Sequence, residues 1–493
     1  NALMSAYAKH GYCRMTFQLF QRLLQSGLNP DKCTFLCILG VCCKTGDLKQ
    51  GRNMHDWIVQ ENLAQNVATI QEDLGKNIAT MEKISGQNAD RIKENSGKNA
   101  VSIEVKFVLD VAIANTVIDM YAKCGCLYDS YGIFDRLSVR NEVSWAAMIV
   151  GFSHHGDSCF VMKLFEDMQS YHAEPNAVVY SCVLKACCCL RLLGKVRQIH
   201  YWIVRARLEL DDVVLTALVD AYAKCKSLEE AWKVFNEMNT MNVVTWNAMI
   251  VGFAQLGDDL SSLILLKRLI QKSTQPDNVT FVSVLKACAT AGNIEGGRIT
   301  HHVIIDTDLR RDMTLENALI DMYGKCGYMC DALTIFNKLP NPDVISWGAI
   351  INGYAENDQG FHALHMFELM QQQHVMPNEI IFMSALKACI SIGSTGEGQR
   401  IHNQVVKNGL EFGVFVGSSI IDMYVKCGNV EEATNCFERQ IDLDVVSWGA
   451  MIYGHVEIGH DNLALDMFVE MLHEGIEPTE AIFVTILQAC MNM

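Results

Sequence analysis

Histidines, cysteines and a recurring set of lysines are the residues of this chain with chemistry to offer. Two His-x-Glu phrases, His172-Ala173-Glu174 and His455-Val456-Glu457, hold the imidazole and carboxylate that a zinc-dependent deaminating or hydrolytic site uses. Such a site also needs a Cys-x-x-Cys ligand pair, and none of the 20 cysteines has that spacing from another. No Gly-rich phosphate loop or nucleophile elbow occurs either. The sequence therefore assigns no catalytic residue, no metal and no cofactor, and the chain reads as a non-enzyme. His55, His200 and His402 recur at matching places and read as structural histidines. The cysteines, several at one repeated position, read as small buried hydrophobes in a reducing compartment.

The elements that carry these residues follow from a period. Trp145, Trp246, Trp347 and Trp448 stand 101 residues apart within VSW, VTW, ISW and VSW. Tyr121, Tyr222, Tyr323 and Tyr424 keep the same step, as do Cys187, Cys288, Cys389 and Cys490. Three unrelated phrases on one period mark an internal repeat. Each cycle divides into units of 35, 35 and 31 residues, such as 243–277, 278–312 and 313–343. Within 243–277, Trp246, Met249, Ile250 and Phe253 fall at i, i+3, i+4 and i+7, the stripe of a buried helix face. Gly257 then ends that helix, a second runs through Leu260 to Ile270, and Pro276-Asp277 closes the unit. A lone helix pair cannot bury its apolar face, whereas stacked neighbours share a core. The fold class expected is all-α, a right-handed α-solenoid superhelix of helix-turn-helix repeats.

One segment interrupts the rhythm with 44 extra residues. The expected organisation is repeats over 1–63, a polar insertion over 64–110, and repeats over 111–493. The insertion reads either as a solvated excursion, helical or disordered, or as a short coiled coil with Asn88 and Asn95 setting register. No apolar run is long enough to cross a bilayer, so no membrane partner is expected; with no catalytic motif, no small-molecule substrate is expected either. The net charge of −16 argues against a strongly basic nucleic-acid surface.

The phrases WNAMIVGFAQLG at 246–257, FVSVLKACATAG at 281–292 and NALIDMYGKCG at 317–327 resemble the pentatricopeptide repeat family. The 35-35-31 cycle resembles its plant-type arrays of alternating P, L and S motifs. GRITHHVI at 297–304 and GQRIHNQVV at 398–406 resemble the L-type second helix. The resemblance covers the chain apart from the insertion, with five P, five L and four S units. The chain reads as cut at both ends, entering its first P unit at the fifth residue and stopping within an L unit.

The resemblance implies binding of single-stranded RNA, one base per repeat, read by the fifth and last residues of a unit. Asp at the last position accepts from the Watson–Crick N–H of U or G, and Asn donates to the ring nitrogen of C or A. The pairs are Asn1/Asp31 for U, Asn115/Asn141 for C or more weakly U, and Thr216/Asn242 for A. Asn247/Asp277 and Asn317/Asp343 both indicate U, and Ser418/Asp444 indicates G. Ala146/Asn176, Gly348/Asn378 and Gly449/Thr479 lack informative side chains. With the strand parallel to the chain, the expected site is U-n-Y-n-n-A-U-n-U-n-n-G-n. The same Asn and Asp residues are also ordinary helix caps.

Val143, Val244, Ile345 and Val446, at second positions, would sandwich bases or simply fill the core. Lys123, Lys224, Lys325 and Lys426 would line a phosphate groove or be solvated surface. The resemblance further implies a mitochondrial or chloroplast RNA editing or processing factor, with other editing or processing proteins as partners. Two alternatives stand: a helical protein-binding scaffold without RNA binding, and the targeting half of a C-to-U editing enzyme whose deaminase lies beyond Met493.

Overall fold

The computed structural model describes residues 1–60, 110–137, 139–208, 211–307 and 312–493. The insertion expected over 64–110 lies outside the described residues except for Asp110. All regular structure among the described residues is helical. None of their helices is long and apolar enough to cross a membrane. The chain forms two compact units, Asn1–Met241 and Asn242–Met493.

In the second unit the hairpin Val243–Gln255 and Asp259–Gln271 is followed by Asn278–Ala291 with Ile294–Asp306, and by Met313–Lys325 with Met329–Phe336. The cycle then repeats from Val344 to Arg439 and begins again at Val445. The three motif types differ in their helices. L units open with 14 residues where P and S units open with 13, and S units have short second helices of 8 or 10. First helices pack on one another in succession, so they form a continuous layer, and each second helix braces its own hairpin. The first unit follows the same scheme, its fourth helix covering residues 48–60.

Local chemistry sets the boundaries. Each first helix from Val344 to the chain end but one starts at a side chain that accepts its third amide: Asp343, Asn378, Asp444 and Thr479, with Gly413 the exception. Such caps satisfy amide groups that the first turn leaves open. The hairpin turns need left-handed backbone, and Gly257 supplies it at φ 75°. Of the expected stripe, Trp246, Met249 and Ile250 are buried and Phe253 is half-buried. The repeated tryptophan fills the space between hairpins. Trp347 meets Phe336 edge-on at 4.8 Å, and Trp448 meets Phe437 at 4.9 Å.

The recurring histidines are explained by the recurring tyrosines. In the second unit, Nδ1 of His301 lies 2.9 Å from the Tyr323 hydroxyl and that of His402 lies 3.0 Å from Tyr424. In the first unit, His55 stands 3.1 Å from Tyr121 and His200 stands 3.0 Å from Tyr222. Burial lowers the pKa of His55, His200 and His402 below the usual imidazole value. Buried Cys187, Cys288 and Cys389 are free thiols, and burial pushes Cys288 and Cys389 up to about 12. Cys490, in the last helix, is exposed.

Neighbouring helices also exchange volume. A Cβ on Gly297 or Gly398 would sit 2.3 Å from the sulfur of Met322 or Met423, so any larger residue would require those methionines to shift. In the first unit Gly51 and Met120 keep this arrangement, whereas at the other matching place Val196 replaces the glycine and Ala221 the methionine, both fully buried. Bulk lost on one helix is regained on the next.

Candidate functional site

Five of the six expected reading pairs are brought together within the two units, and a third side chain joins each. Asn247 lies on Val243–Gln255, and Asp277 caps the next first helix, Asn278–Ala291. The Asn247 amide donates to both carboxylate oxygens of Asp277, at 3.0 and 3.1 Å. Thr280, the third residue of the following repeat, donates its hydroxyl toward Asn247 Oδ1 at 2.6 Å and lies 2.9 Å from Asp277 Oδ1. The same triangle occurs at Asn317, Asp343 and Ser346, where the amide–carboxylate contact is 3.3 Å and the hydroxyl–amide contact 2.6 Å. It recurs in the first unit at Asn115, Asn141 and Ser144, with 3.2 and 2.7 Å. Asn1, Asp31 and Thr34 close another at 2.7 and 2.8 Å. The Ser418 hydroxyl lies 2.6 Å from the Val414 carbonyl and 2.8 Å from Asp444 Oδ1, two acceptors for its one hydrogen, and accepts from Ser447 at 3.1 Å.

These contacts fix the orientation of the amides of Asn1, Asn247 and Asn317. A carboxylate only accepts, so the NH2 must face the aspartate, and the carbonyl must face the hydroxyl. Asn317 reaches Asp343 through one contact, which leaves one amide hydrogen unengaged. Thr280 and Ser346 are fully buried, while Asn247 and Asn317 are 8% and 7% exposed. Burial would raise the pKa of Asp277 and Asp343, but the hydrogen bonds from Thr280 and Ser346 and from Asn247 and Asn317 outweigh it. Both carboxyls are held below the usual range and stay ionised acceptors at neutral pH.

Asn317 and Asp343 open onto a hollow of about 670 Å³, which Lys286, Lys325, Ile345 and Ile380 also line. Ile345 is 62% exposed, and Val143, Val244 and Val446 are exposed to a similar degree, so these second-position residues are not core. Val178, Val213, Val279, Ile380 and Phe415 are exposed at the same position of L and S units. Sequence reasoning named only the P-unit members, although their place two residues after each cap was visible.

Thr216 belongs to the first compact unit and Asn242 begins the second, where it caps its helix through the Thr245 amide at 3.0 Å. Asn176, Asn378 and Thr479 cap helices too, but the third residues beside them are Val179, Ile381 and Ile482.

The four S-unit lysines are held within their own helices. Lys123, Lys224, Lys325 and Lys426 pair with Asp119, Asp220, Asp321 and Asp422 at 2.7–2.9 Å. Lys185, Lys286 and Lys387 on the L units are exposed instead and form no side-chain hydrogen bond or ion pair among the described residues. They stand four residues beyond the fifth position, hence on its helix face. The Leu-Lys-Ala-Cys phrase displayed them, and the sequence reading took only its cysteine. The His-x-Glu phrases form no common site. His172 sits exposed in a turn at φ 55°, and His455 is buried beside His460 while Glu457 is exposed. No group of His, Cys, Asp and Glu among the described residues is arranged to hold a metal.

Known proteins place this architecture. A PPR repeat model matches residues 1–28, 113–141, 213–243, 244–273, 317–341, 345–375 and 418–439. A pentatricopeptide repeat domain model matches 433–493, and a PPR repeat family model matches 140–189. A chloroplastic pentatricopeptide repeat-containing protein of Arabidopsis thaliana is 30% identical over 99% of this chain and 72% of its own length. The chain belongs to the pentatricopeptide repeat family. Another Arabidopsis thaliana member is 32% identical over 99% of this chain. The chain spans 65%, 55% and 51% of the length of three such relatives. The pentatricopeptide repeat protein PPR10 from maize superposes with a TM-score of 0.61 at 17% identity, over 99% of this chain and 70% of that one. PPR10 in complex with an 18-nt psaJ RNA element gives 0.63 at 18% identity, over 99% and 80%.

Proposed function

We propose that this pentatricopeptide repeat array binds single-stranded RNA and reads one base at each junction that holds a polar fifth residue. The observation that carries the reading is the oriented Asn317–Asp343 pair opening onto a hollow edged by exposed Ile345 and Ile380. An ionised Asp343 accepts the N3–H of uracil, and the asparagine NH2 donates to a pyrimidine carbonyl. The flanking aliphatic side chains offer apolar surface to the base faces. PPR10, a structural relative, has been solved with RNA, which supports the class of ligand.

On this reading Asn1/Asp31, Asn247/Asp277 and Asn317/Asp343 select U, Asn115/Asn141 a pyrimidine, Thr216/Asn242 A and Ser418/Asp444 G. Val143, Val244, Ile345 and Val446 flank the bases. Lys185, Lys286 and Lys387 meet phosphates. Lys123, Lys224, Lys325 and Lys426 contribute less, because each is already neutralised by an aspartate. The repeats occupy 1–63 and 111–493, with an insertion between them. Relatives named chloroplastic and mitochondrial support an organellar setting, where the array would target an editing or processing factor.

A mobility-shift series with the matched RNA U-n-Y-n-n-A-U-n-U-n-n-G-n and a scrambled strand, across salt concentrations, tests this. Preference for the matched strand, lost on changing Asn247 and Asn317 to Ala, is expected. Equal or absent binding to both strands would replace it with the protein-scaffold reading, which the charge of −16 and the paired lysines favour.

A further inference from the structure

We propose that the third residue of the following repeat is a positioning residue that decides whether a junction reads a base, an inference that rests on the RNA-reading function above. A buried hydroxyl there sets the asparagine amide. A β-branched aliphatic residue there walls the corner and leaves the junction silent.

The five P-to-L junctions carry the argument. Asn1 is followed by Thr34 and Asn247 by Thr280, and in both cases the hydroxyl donates to the asparagine carbonyl, at 2.8 and 2.6 Å. Ala146, Gly348 and Gly449 are followed by Val179, Ile381 and Ile482, each buried. A Cβ added to Gly348 would touch Ile381 Cγ1 at 3.5 Å, and one on Gly449 would meet Ile482 Cγ1 and Cδ1 at 3.3 Å. The isoleucine therefore walls the corner into which a fifth-position asparagine would project, at ordinary contact distance beside Gly348 and more tightly beside Gly449. At Gly348 and Gly449 the isoleucine packs against the bare backbone, less tightly than Met322 does against Gly297. The S-to-P junctions supply Ser144, Ser346 and Ser447 on the polar side.

Capping alone does not explain the choice. Ile381 and Thr280 both place their backbone amide on the preceding cap oxygen, at 3.1 and 2.8 Å. Either side chain therefore permits the cap. Thr280 also accepts from the Asp277 amide at 3.2 Å, closing a capping box that Ile381 leaves open. Ser346 reaches Asn317 at 2.6 Å where no such box is closed, so the contact with the fifth residue does not depend on the box. Without the hydroxyl, the asparagine carbonyl would lose its buried donor, and the amide could turn its oxygen toward the base. L-to-S junctions fit the silent class. Val214 follows Ser181, whose hydroxyl reaches only the Ala177 carbonyl among the described residues, at 2.9 Å, whereas Ser418 makes the same backward contact and also meets Asp444 and Ser447.

The test is a gain of reading at the tenth base of the site, opposite Gly348 and Asn378. Binding of the full chain is measured with each of the four bases there, for wild type, Gly348→Asn, Ile381→Thr and the double variant. Thermal melting of each variant checks the fold. Wild type and both single variants are expected to be indifferent to that base. The double variant is expected to prefer a pyrimidine by about tenfold, the effect of one well-placed hydrogen-bonding pair. Conversely, Thr280→Val should erase the preference for U at the seventh base by about tenfold, and Thr280→Ser should keep it.

A folded double variant that stays indifferent, or a Thr280→Val chain that keeps its full preference, would overturn the inference while leaving base reading intact. A wild-type chain without preference at the seventh base would overturn base reading and this inference together.

Discussion

The junction at Asn247, Asp277 and Thr280 and the junction at Gly348, Asn378 and Ile381 lie in one compact unit and share one scaffold. Both join a 13-residue first helix to a 14-residue one, both bury a tryptophan, and both cap the second helix with the last side chain of a repeat. They differ in what fills the corner between the helices. One corner holds an asparagine locked by a hydroxyl and a carboxylate; the other holds an isoleucine against a bare backbone. Stacking and capping are thus common to these two junctions, and recognition is a local addition that some repeats carry and others replace with packing.

The largest effect should strike the shared scaffold. Trp347→Ala removes a nearly fully buried side chain and is expected to cost about 3–5 kcal/mol in denaturant unfolding. RNA binding at neighbouring junctions should fall with it, polar or not. A cost under about 1 kcal/mol would show that the tryptophan is not what holds the hairpins together.

A sharper separation comes from the two caps. Asp277→Ala and Asn378→Ala should each lower stability by about 1 kcal/mol, since each loses the acceptor for a first-turn amide. Only Asp277→Ala should also weaken binding to RNA with U at the seventh base, by about tenfold. Equal binding losses would erase the distinction between the two junctions.

Acidity should affect the scaffold before it affects reading. His55, His200 and His402 have folded pKa values below the ordinary one, because burial disfavours the imidazolium. Their contribution is fully present above pH ~6.5, where folded and unfolded chains are both neutral there. As pH falls below that value the unfolded chain takes protons that the folded one refuses, so stability declines toward the lower folded pKa. Melting at pH 5.5 is expected several degrees below that at pH 7.5, with a smaller drop in His402→Gln. The depressed carboxyls of Asp277 and Asp343 act in a lower window, contributing above pH ~4 and losing that contribution as pH falls further.

The smallest expected effect distinguishes the two sets of lysines. Lys286→Ala should reduce the slope of log affinity against log salt by about 0.7, the value for one phosphate contact on a single strand. Lys325→Ala should change it less, because Asp321 already pairs with that ammonium at 2.9 Å. Equal changes would return the S-unit lysines to the phosphate groove.

Much of the scaffold was legible because periodic burial writes itself into periodic sequence. The 101-residue step of Trp145, Trp246, Trp347 and Trp448 fixed the hairpins, and Gly257 marked a turn that the helix limits match. The pairing of fifth and last residues was also legible, through resemblance. Thr280 and Ser346 were not, because a hydroxyl three residues after Asp277 or Asp343 already makes sense as part of a cap. Its contact with Asn247 or Asn317 crosses about thirty residues of chain and appears only in three dimensions. Gly348 and Gly449 looked degenerate because the isoleucines that pack against them also lie in the next repeat. The neutralised lysines could have been read from sequence, since Asp119 and Lys123, four apart on one helix, form a common ion-pair pattern.

The most direct test of the account is a complete base-substitution profile: the wild-type chain bound to the matched RNA with each of its thirteen positions changed in turn. The expected profile has penalties of about tenfold at the first, third, sixth, seventh, ninth and twelfth bases and none at the fourth, tenth and thirteenth. A flat profile, or penalties opposite Ala146, Gly348 and Gly449 equal to those opposite Asn247 and Asn317, would contradict it.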